Sequence, residues 1–350
     1  MIKDIKISNK IIGDKRPVFI IAEAGVNHNG SVETALKMVD AAAAAGADAI
    51  KFQTFKAQDV VTVGGEMVGY QIKNIGESMS QLEMIKAFEL NDDDWPLIIE
   101  RCKKKKIIFL STPHGGFNSV DLLSKLKVPA FKFGSGDLTN LPVLQYAARF
   151  DKPMILGTGM STLEEVRDAV KAIKKIGNNQ IIILHCTTNY PCPLAEVNLK
   201  SMIKMRNELN VLVGYSDHTE GILVPIAAVA MGGCLIEKHF TLDRKMKGPD
   251  HKASLEPLEL KKMIDSIKTV STILGSEIKK PNKSELSMVK AVRKSIVASK
   301  DIRRGDVFSQ KNLAIKRPGF GLNPKKWNQL LGKRSKENYR NDEMIKANEI

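Results

Sequence analysis

Hydrophobic residues in this chain come in short bursts separated by amphipathic stretches. Eight bursts have β-strand character: VFIIAE (18–23), DAIKFQT (48–54), IIFLST (107–112), AFKFGS (130–135), MILGTG (154–159), IIILHC (181–186), VLVGYS (211–216) and CLIEKHF (234–240). Segments of helical periodicity lie between them, such as SVETALKMVDAAAAAGA and TLEEVRDAVKAIKKIG. Near-continuous apolar strands are what a parallel sheet covered on both faces requires. Eight of them with helical crossovers, in about 240 residues, predict an α/β fold of the (β/α)8, or TIM-barrel, type.

The flanks depart from this rhythm. Residues 1–16 alternate apolar and polar positions up to a GDKRP turn, which predicts a hairpin capping the barrel floor. Regularity stops near 280, so the barrel domain is read as 1–280. KKPNKSE marks a linker over 281–290, and 291–350 carries short strands and turns (SIVAS, DIRRGDVF, LAIKRPGFG) that predict a small, irregular or β-rich second domain.

The 350 residues, 43% hydrophobic, suffice for one large and one small domain. No apolar run is long enough to span a membrane. MIKDIKISNK lacks the organisation of a secretion signal, and the expectation is a cytoplasmic protein. Four scattered cysteines without a CxxC pair read as reduced, buried thiols. The net charge of +15 is diffuse, with KKKK at 103–106 and a basic tail, and no aromatic-interleaved stripe accompanies it. A lysine-rich solvated surface is therefore preferred over nucleic-acid binding.

In a parallel barrel, chemistry collects where strands end. The eight ends carry Glu23 with Asn27 and His28; Lys51 and Gln53; Ser111 and Thr112; Lys132 and Ser135; Thr158; His185 with Thr188 and Tyr190; Ser216, Asp217 and His218; and Glu237 and His239. Strands chosen for stability alone would not need these groups. Lys51 and Lys132 lie inside apolar runs, where an unpaired ammonium is costly. Either neighbouring carboxylates pair with them, or they hold a bound phosphate or carboxylate, and the anion reading is preferred. The GSGD turn (134–137) adds backbone N–H donors. A Schiff-base lysine is the rival chemistry. His218 and His239, on successive strands, suggest a pair of imidazole ligands for a divalent cation, Mn²⁺ ahead of Mg²⁺. His28 and His251 are loop residues placed to touch substrate, and the prolines of NYPCP hold Tyr190 at the mouth. GPDH offers Asp250.

The motifs AEAGVNHNGS, KFQTF, YQIKN, STP, FKFGSGD, LGTGMST, LHCTTNYPCP, GYSDHT, IEKHFTLD, GPDHKASLEP and KRPGFG run in order along nearly the whole chain. Together they resemble the bacterial sialic acid synthase family, whose barrel is followed by an antifreeze-like (SAF) domain. The resemblance implies condensation of phosphoenolpyruvate with an open-chain N-acylated mannosamine-type sugar and water. The product is a nonulosonic acid, N-acetylneuraminate or legionaminate, with pseudaminate as the alternative. It implies that His218 and His239 ligate the metal, Mn²⁺ with Mg²⁺ or Co²⁺ as substitutes. Lys51, Thr112, Lys132, Ser135, Thr158, Thr188 and Ser216 would hold phosphoenolpyruvate. Glu23, Gln53, Tyr190 and Asp250 would face the sugar and the reacting groups, with Glu23 or Glu237 moving protons. Arg317 would reach from the SAF domain of one subunit to the sugar in its partner, which implies a domain-swapped homodimer. Departures from the family pattern are Gly157 in place of serine, Thr188 in place of asparagine, Asp137 in place of glutamate, and HKASLEP after GPD.

Overall fold

The computed structural model describes residues 2–67, 69–75 and 79–350, and of the YQIKN segment the side chains of Tyr70 and Lys73 lie outside the described residues. The chain divides into two compact units, Met1–Gly275 and Ser276–Ile350.

The first unit opens with an antiparallel hairpin, β1 (Ile5–Ile7) and β2 (Lys10–Ile12). Eight parallel strands follow: β3 (Phe19–Gly25), β4 (Ala49–Thr54), β5 (Ile108–Pro113), β6 (Phe131–Phe133), β7 (Met154–Gly157), β8 (Ile181–His185), β9 (Leu212–Asp217) and β10 (Leu235–His239). Their order is β5-β4-β3-β10-β9-β8-β7-β6, and the two end strands adjoin, bringing the sheet round into a barrel. Helices occupy the crossovers. Val32–Ala45 starts where the Ser31 hydroxyl accepts the Thr34 N–H and stops at Gly46, whose φ of 90° suits glycine. Leu163–Lys175 starts with a Thr162/Glu165 capping box.

Strand periodicity divides the buried residues into two sets. Ile20, Ala22, Ile50, Phe52, Phe109, Phe131, Phe133 and Val213 pack in the layer that contains the crossover helices. Phe19, Ile21, Ala49, Leu110, Ala130, Ile155, Leu184, Leu212 and Leu235 form a second cluster with Ile5, Ile7 and Ile12 of the hairpin. This second set is the barrel interior, and the hairpin plugs its floor as its alternation implied. Continuing the same parity up each strand leads from Ile21 to Glu23, from Ala49 to Lys51 and Gln53, from Leu110 to Thr112, from Ala130 to Lys132, and from Leu235 to Glu237 and His239. The apolar interior thus gives way to a charged layer at the C-terminal rim. Gly214 permits the closure, because a Cβ there would stand 2.2 Å from the Leu235 carbonyl oxygen.

The boundary differs from the sequence expectation. The first unit ends at Gly275 rather than 280, where the long helix Pro257–Leu274 terminates. The segment read as a linker is mostly ordered: Lys283–Glu285 forms a 3-10 turn and Leu286–Val292 a helix. The second unit pairs β11 (Ser295–Ala298) with β12 (Leu313–Lys316) and closes over Ile296, Phe308, Leu313, Leu330 and Tyr339.

Candidate active site

A cavity of about 430 Å³ opens at the C-terminal rim of the barrel, within the range of small-molecule sites. Its lining includes Glu23, Lys51, Gln53, Thr112, Lys132, Ser135, Thr188, Tyr190, Ser216, His218, Glu237, His239 and Asp250. Residues scattered over more than 220 positions of sequence meet there because the inward faces of the barrel strands and the loops that follow them converge on one rim.

The floor is an ionic network. Lys51 Nζ lies 2.8 Å from Glu23 Oε2 and 3.9 Å from Glu237 Oε1, and donates to Thr112 Oγ1 at 3.0 Å. Lys132 Nζ lies 3.0 Å from Glu237 Oε1, which also accepts from Ser216 Oγ at 3.1 Å. Gln53 Nε2 reaches Glu23 Oε1 at 3.5 Å. Carboxylates pair with both strand lysines, and both lysines line the cavity.

Burial and neighbouring charge split the two glutamates. Desolvation lifts Glu23 to about 7 against the pull of Lys51, with Glu237 adding to the rise. Glu237 is also desolvated, but Lys132 and Lys51 hold it below the ordinary carboxylate range. Desolvation lowers Lys51. Lys132 is desolvated too, yet Glu237 and Glu23 keep it above the usual lysine value.

His218 and His239 stand side by side, ring centres 5.5 Å apart, with Tyr190 against both at 4.1 and 5.6 Å. Burial lowers His218 to about 4 and His239 well below its ordinary value, so both imidazoles are neutral. His218 Nδ1 lies 2.6 Å from the Thr187 carbonyl, which can only accept. The proton therefore sits on Nδ1, and Nε2 keeps its lone pair. His239 Nδ1 is buried without a hydrogen-bond partner, as are Glu237 Oε2 and Thr188 Oγ1. Asp250 Oδ2 lies 4.0 Å from His239 Nδ1, and burial raises Asp250 to about 6. Among the described residues no cluster of three or more His, Cys, Asp or Glu forms a metal cage. Two neutral imidazoles with an available lone pair and an unpartnered nitrogen nevertheless fit an ion that completes its shell with substrate and water oxygens.

Residues 38–279 match the NeuB family, and residues 293–350 match the SAF domain. The chain belongs to the NeuB family. It is 46% identical over 333 residues to the N,N'-diacetyllegionaminic acid synthase of Campylobacter jejuni, covering 95% of this chain and 99% of that one. It is 45% identical over 328 residues to the Legionella pneumophila protein of the same name, covering 92% and 91%. The crystal structure of N-acetylneuraminic acid synthetase from Leptospira borgpetersenii superposes with a TM-score of 0.73 at 35% identity, covering 83% of this chain and 96% of that chain.

Several sequence expectations need correction in this NeuB enzyme. Thr158 does not face the cavity; its hydroxyl donates to the Leu184 carbonyl at 3.0 Å. It cannot replace a serine at position 157, where the glycine Cβ position already crowds Ser135 at 3.1 Å. Asp217, at the end of β9, does not line the cavity. It pairs with Lys238 Nζ at 2.5 Å and accepts from Thr219, all three fully buried. His28 and His251 do not line the cavity either. His251 bridges Thr241 Oγ1 and Asn29 Oδ1, and His28 Nδ1 accepts the Gly30 N–H, so both serve the loops. Arg317 is exposed in the second unit. Lys238 went unnoticed although it, too, is a lysine inside an apolar run, one position out of phase with Glu237 and His239. In the excursion between β4 and β5 only YQIKN stands out in the sequence, whereas Val60, Val61, Met84, Ile85 and Phe88 line the cavity. Asn74 ties the excursion to the GPD loop by donating to the Pro249 carbonyl at 2.6 Å.

Proposed function

We propose that this enzyme condenses phosphoenolpyruvate with 2,4-diacetamido-2,4,6-trideoxymannose and water, giving N,N'-diacetyllegionaminate and phosphate. The carrying observation is the buried floor, where two ammonium groups, hydroxyls and a neutral imidazole pair face one cavity. The acceptor is argued from the two legionaminic acid synthases this chain resembles over nearly their whole lengths.

The floor's charges explain its chemistry. Lys51 and Lys132 are balanced by Glu23 and Glu237, so a phosphate and a carboxylate arriving together need further positive charge. A divalent cation held by His218 and His239, which we take to be Mn²⁺, would supply that charge and polarise the aldehyde oxygen. Lys51, Lys132, Thr112, Ser135 and Ser216 bind and orient phosphoenolpyruvate so that its C3 faces the aldehyde. The C3–C1 bond forms and the aldehyde oxygen takes up a proton from solvent water. Water adds at C2 as its proton passes to Glu23, which titrates near neutrality; Glu237, held ionised, remains the counter-charge of Lys132. The bond between C2 and the phosphate's bridging oxygen then breaks, phosphate leaves with the proton of the C2 hydroxyl, and the water oxygen becomes the ketone. A Schiff-base route needs an amine free to attack, whereas both lysines are engaged by carboxylates.

We also propose a homodimer in which Arg317 of the SAF domain serves the partner's sugar site; its exposure leaves it available for such a contact. The test of the reaction is phosphate release and product mass with phosphoenolpyruvate, Mn²⁺ and three sugars: the diacetamido sugar, N-acetylmannosamine and the pseudaminate precursor. The diacetamido sugar should give the highest kcat/KM, with a product of legionaminate mass. Preference for either other sugar would overturn the acceptor assignment.

A further inference from the structure

We infer that the β4–β5 excursion is the acceptor-selecting wall of this enzyme, and that it favours sugars ending in a methyl group over sugars ending in a hydroxymethyl group. The inference rests on the condensation proposed above and adds the residues that choose its substrate.

The cavity has two chemically different parts. Its floor is the ionic network of Lys51, Lys132, Glu23 and Glu237. Another part of its lining is aliphatic and aromatic: Val60 and Val61 at the end of the short helix Ala57–Val60, Met84 and Ile85 on Gln81–Ala87, and Phe88 at that helix's C-terminal cap. These residues follow β4 in the chain, so they belong to the rim from which the strand side chains point inward. Gln71 and Gln81 share the lining, amides of the kind that hydrogen-bond an acylamido substituent.

An open-chain hexose derivative entering this cavity has a fixed polarity. Its C1 must lie at the floor, because phosphoenolpyruvate's anionic groups need the ammonium donors and C1 must meet its C3. The opposite end, C6, then extends away from the floor towards the apolar lining. A C6 methyl is at home against valine, isoleucine, methionine and phenylalanine. A C6 hydroxyl packed against those four residue types gives up water and gains no hydrogen bond from them. Selectivity from one methyl or one misplaced hydroxyl in such a pocket is about tenfold to a hundredfold in kcat/KM.

The test uses the full-length Mn²⁺-loaded enzyme and three acceptors: 2,4-diacetamido-2,4,6-trideoxymannose, 2-acetamido-2,6-dideoxymannose and N-acetylmannosamine. The second sugar isolates C6 from the C4 substituent. Both 6-deoxy sugars should exceed N-acetylmannosamine in kcat/KM by about tenfold or more. Ile85→Asn and Val61→Thr, at half-buried positions that tolerate polarity, should each shrink that ratio several-fold while the phosphoenolpyruvate KM and the melting temperature hold. Equal kcat/KM for 6-deoxy and 6-hydroxy sugars would overturn the inference and leave the condensation standing. Variants that slow all three sugars in the same proportion would overturn it as well. No phosphate release with any of the three would instead overturn the condensation, and this inference with it.

Discussion

A carboxyl group held near neutrality beside one held ionised is a division of labour set by surroundings. Glu23 and Glu237 face the same two lysines, yet Glu237 has Lys132 at 3.0 Å while Glu23 relies on Lys51, itself weakened by burial. In the proposed reaction Glu23 is ionised when it takes the proton of the adding water, so kcat/KM should fall as pH drops below about 7. Glu23→Gln should lower kcat about 10²–10⁴-fold and abolish that acid limb; an unchanged limb in the variant would assign the titration elsewhere. His218→Ala and His239→Ala test the imidazole pair by Mn²⁺ titration without substrate. Each should weaken Mn²⁺ binding at least tenfold while the circular dichroism spectrum holds, and wild-type affinity in both would remove the metal role. The residue types at the floor were legible because ammonium groups inside apolar runs demand partners. Which glutamate pairs with which lysine was not legible, since that depends on the stagger between strands that meet only in three dimensions.

At the level of elements, the eight strands and the capping hairpin followed from apolar runs and alternation, because burial on both faces leaves a clear mark on composition. The segment 281–290 was misread for the opposite reason. Its proline and lysines look like a linker, but LSMVKAV that follows has ordinary helix formers, and Leu286–Val292 folds accordingly. The β4–β5 excursion carries no strand or repeat signal, so its part in the cavity could not be read before the structure. The hairpin gives a clean test of floor against rim. Ile7 is wholly buried against the barrel interior, and Ile7→Ala should cost about 2–4 kcal/mol of stability. Thermal unfolding should report that loss while the phosphoenolpyruvate KM stays unchanged, because the hairpin lies at the end opposite the site. A raised KM with unchanged stability would contradict this placement.

The whole molecule is two units with separate cores, and no helix among the described residues is long and apolar enough to cross a membrane. Its acid behaviour follows from groups buried in the barrel unit. His28, His218 and His251 are pulled from 6.5 to about 4, and His239 well below 6.5. Between pH 6.5 and 4 the unfolded chain binds protons on these rings and the folded chain does not, so stability falls as pH drops through that window. Glu23 and Asp250, raised to about 7 and about 6, act in the opposite sense, since the folded state takes their protons first. Four imidazoles outweigh two carboxyls, and the metal-free protein should melt at a lower temperature at pH 5 than at pH 7.5. A higher melting temperature at pH 5 would reverse that balance.

The most direct measurement follows one oxygen atom. Phosphoenolpyruvate carrying ¹⁸O in its C–O–P bridge is turned over with the diacetamido sugar and Mn²⁺, and the released phosphate is weighed by mass spectrometry. Water attack at C2 with C–O cleavage predicts that the phosphate keeps the ¹⁸O and the nonulosonic acid does not. Label retained in the sugar product, or turnover of pyruvate in place of phosphoenolpyruvate, would contradict the account.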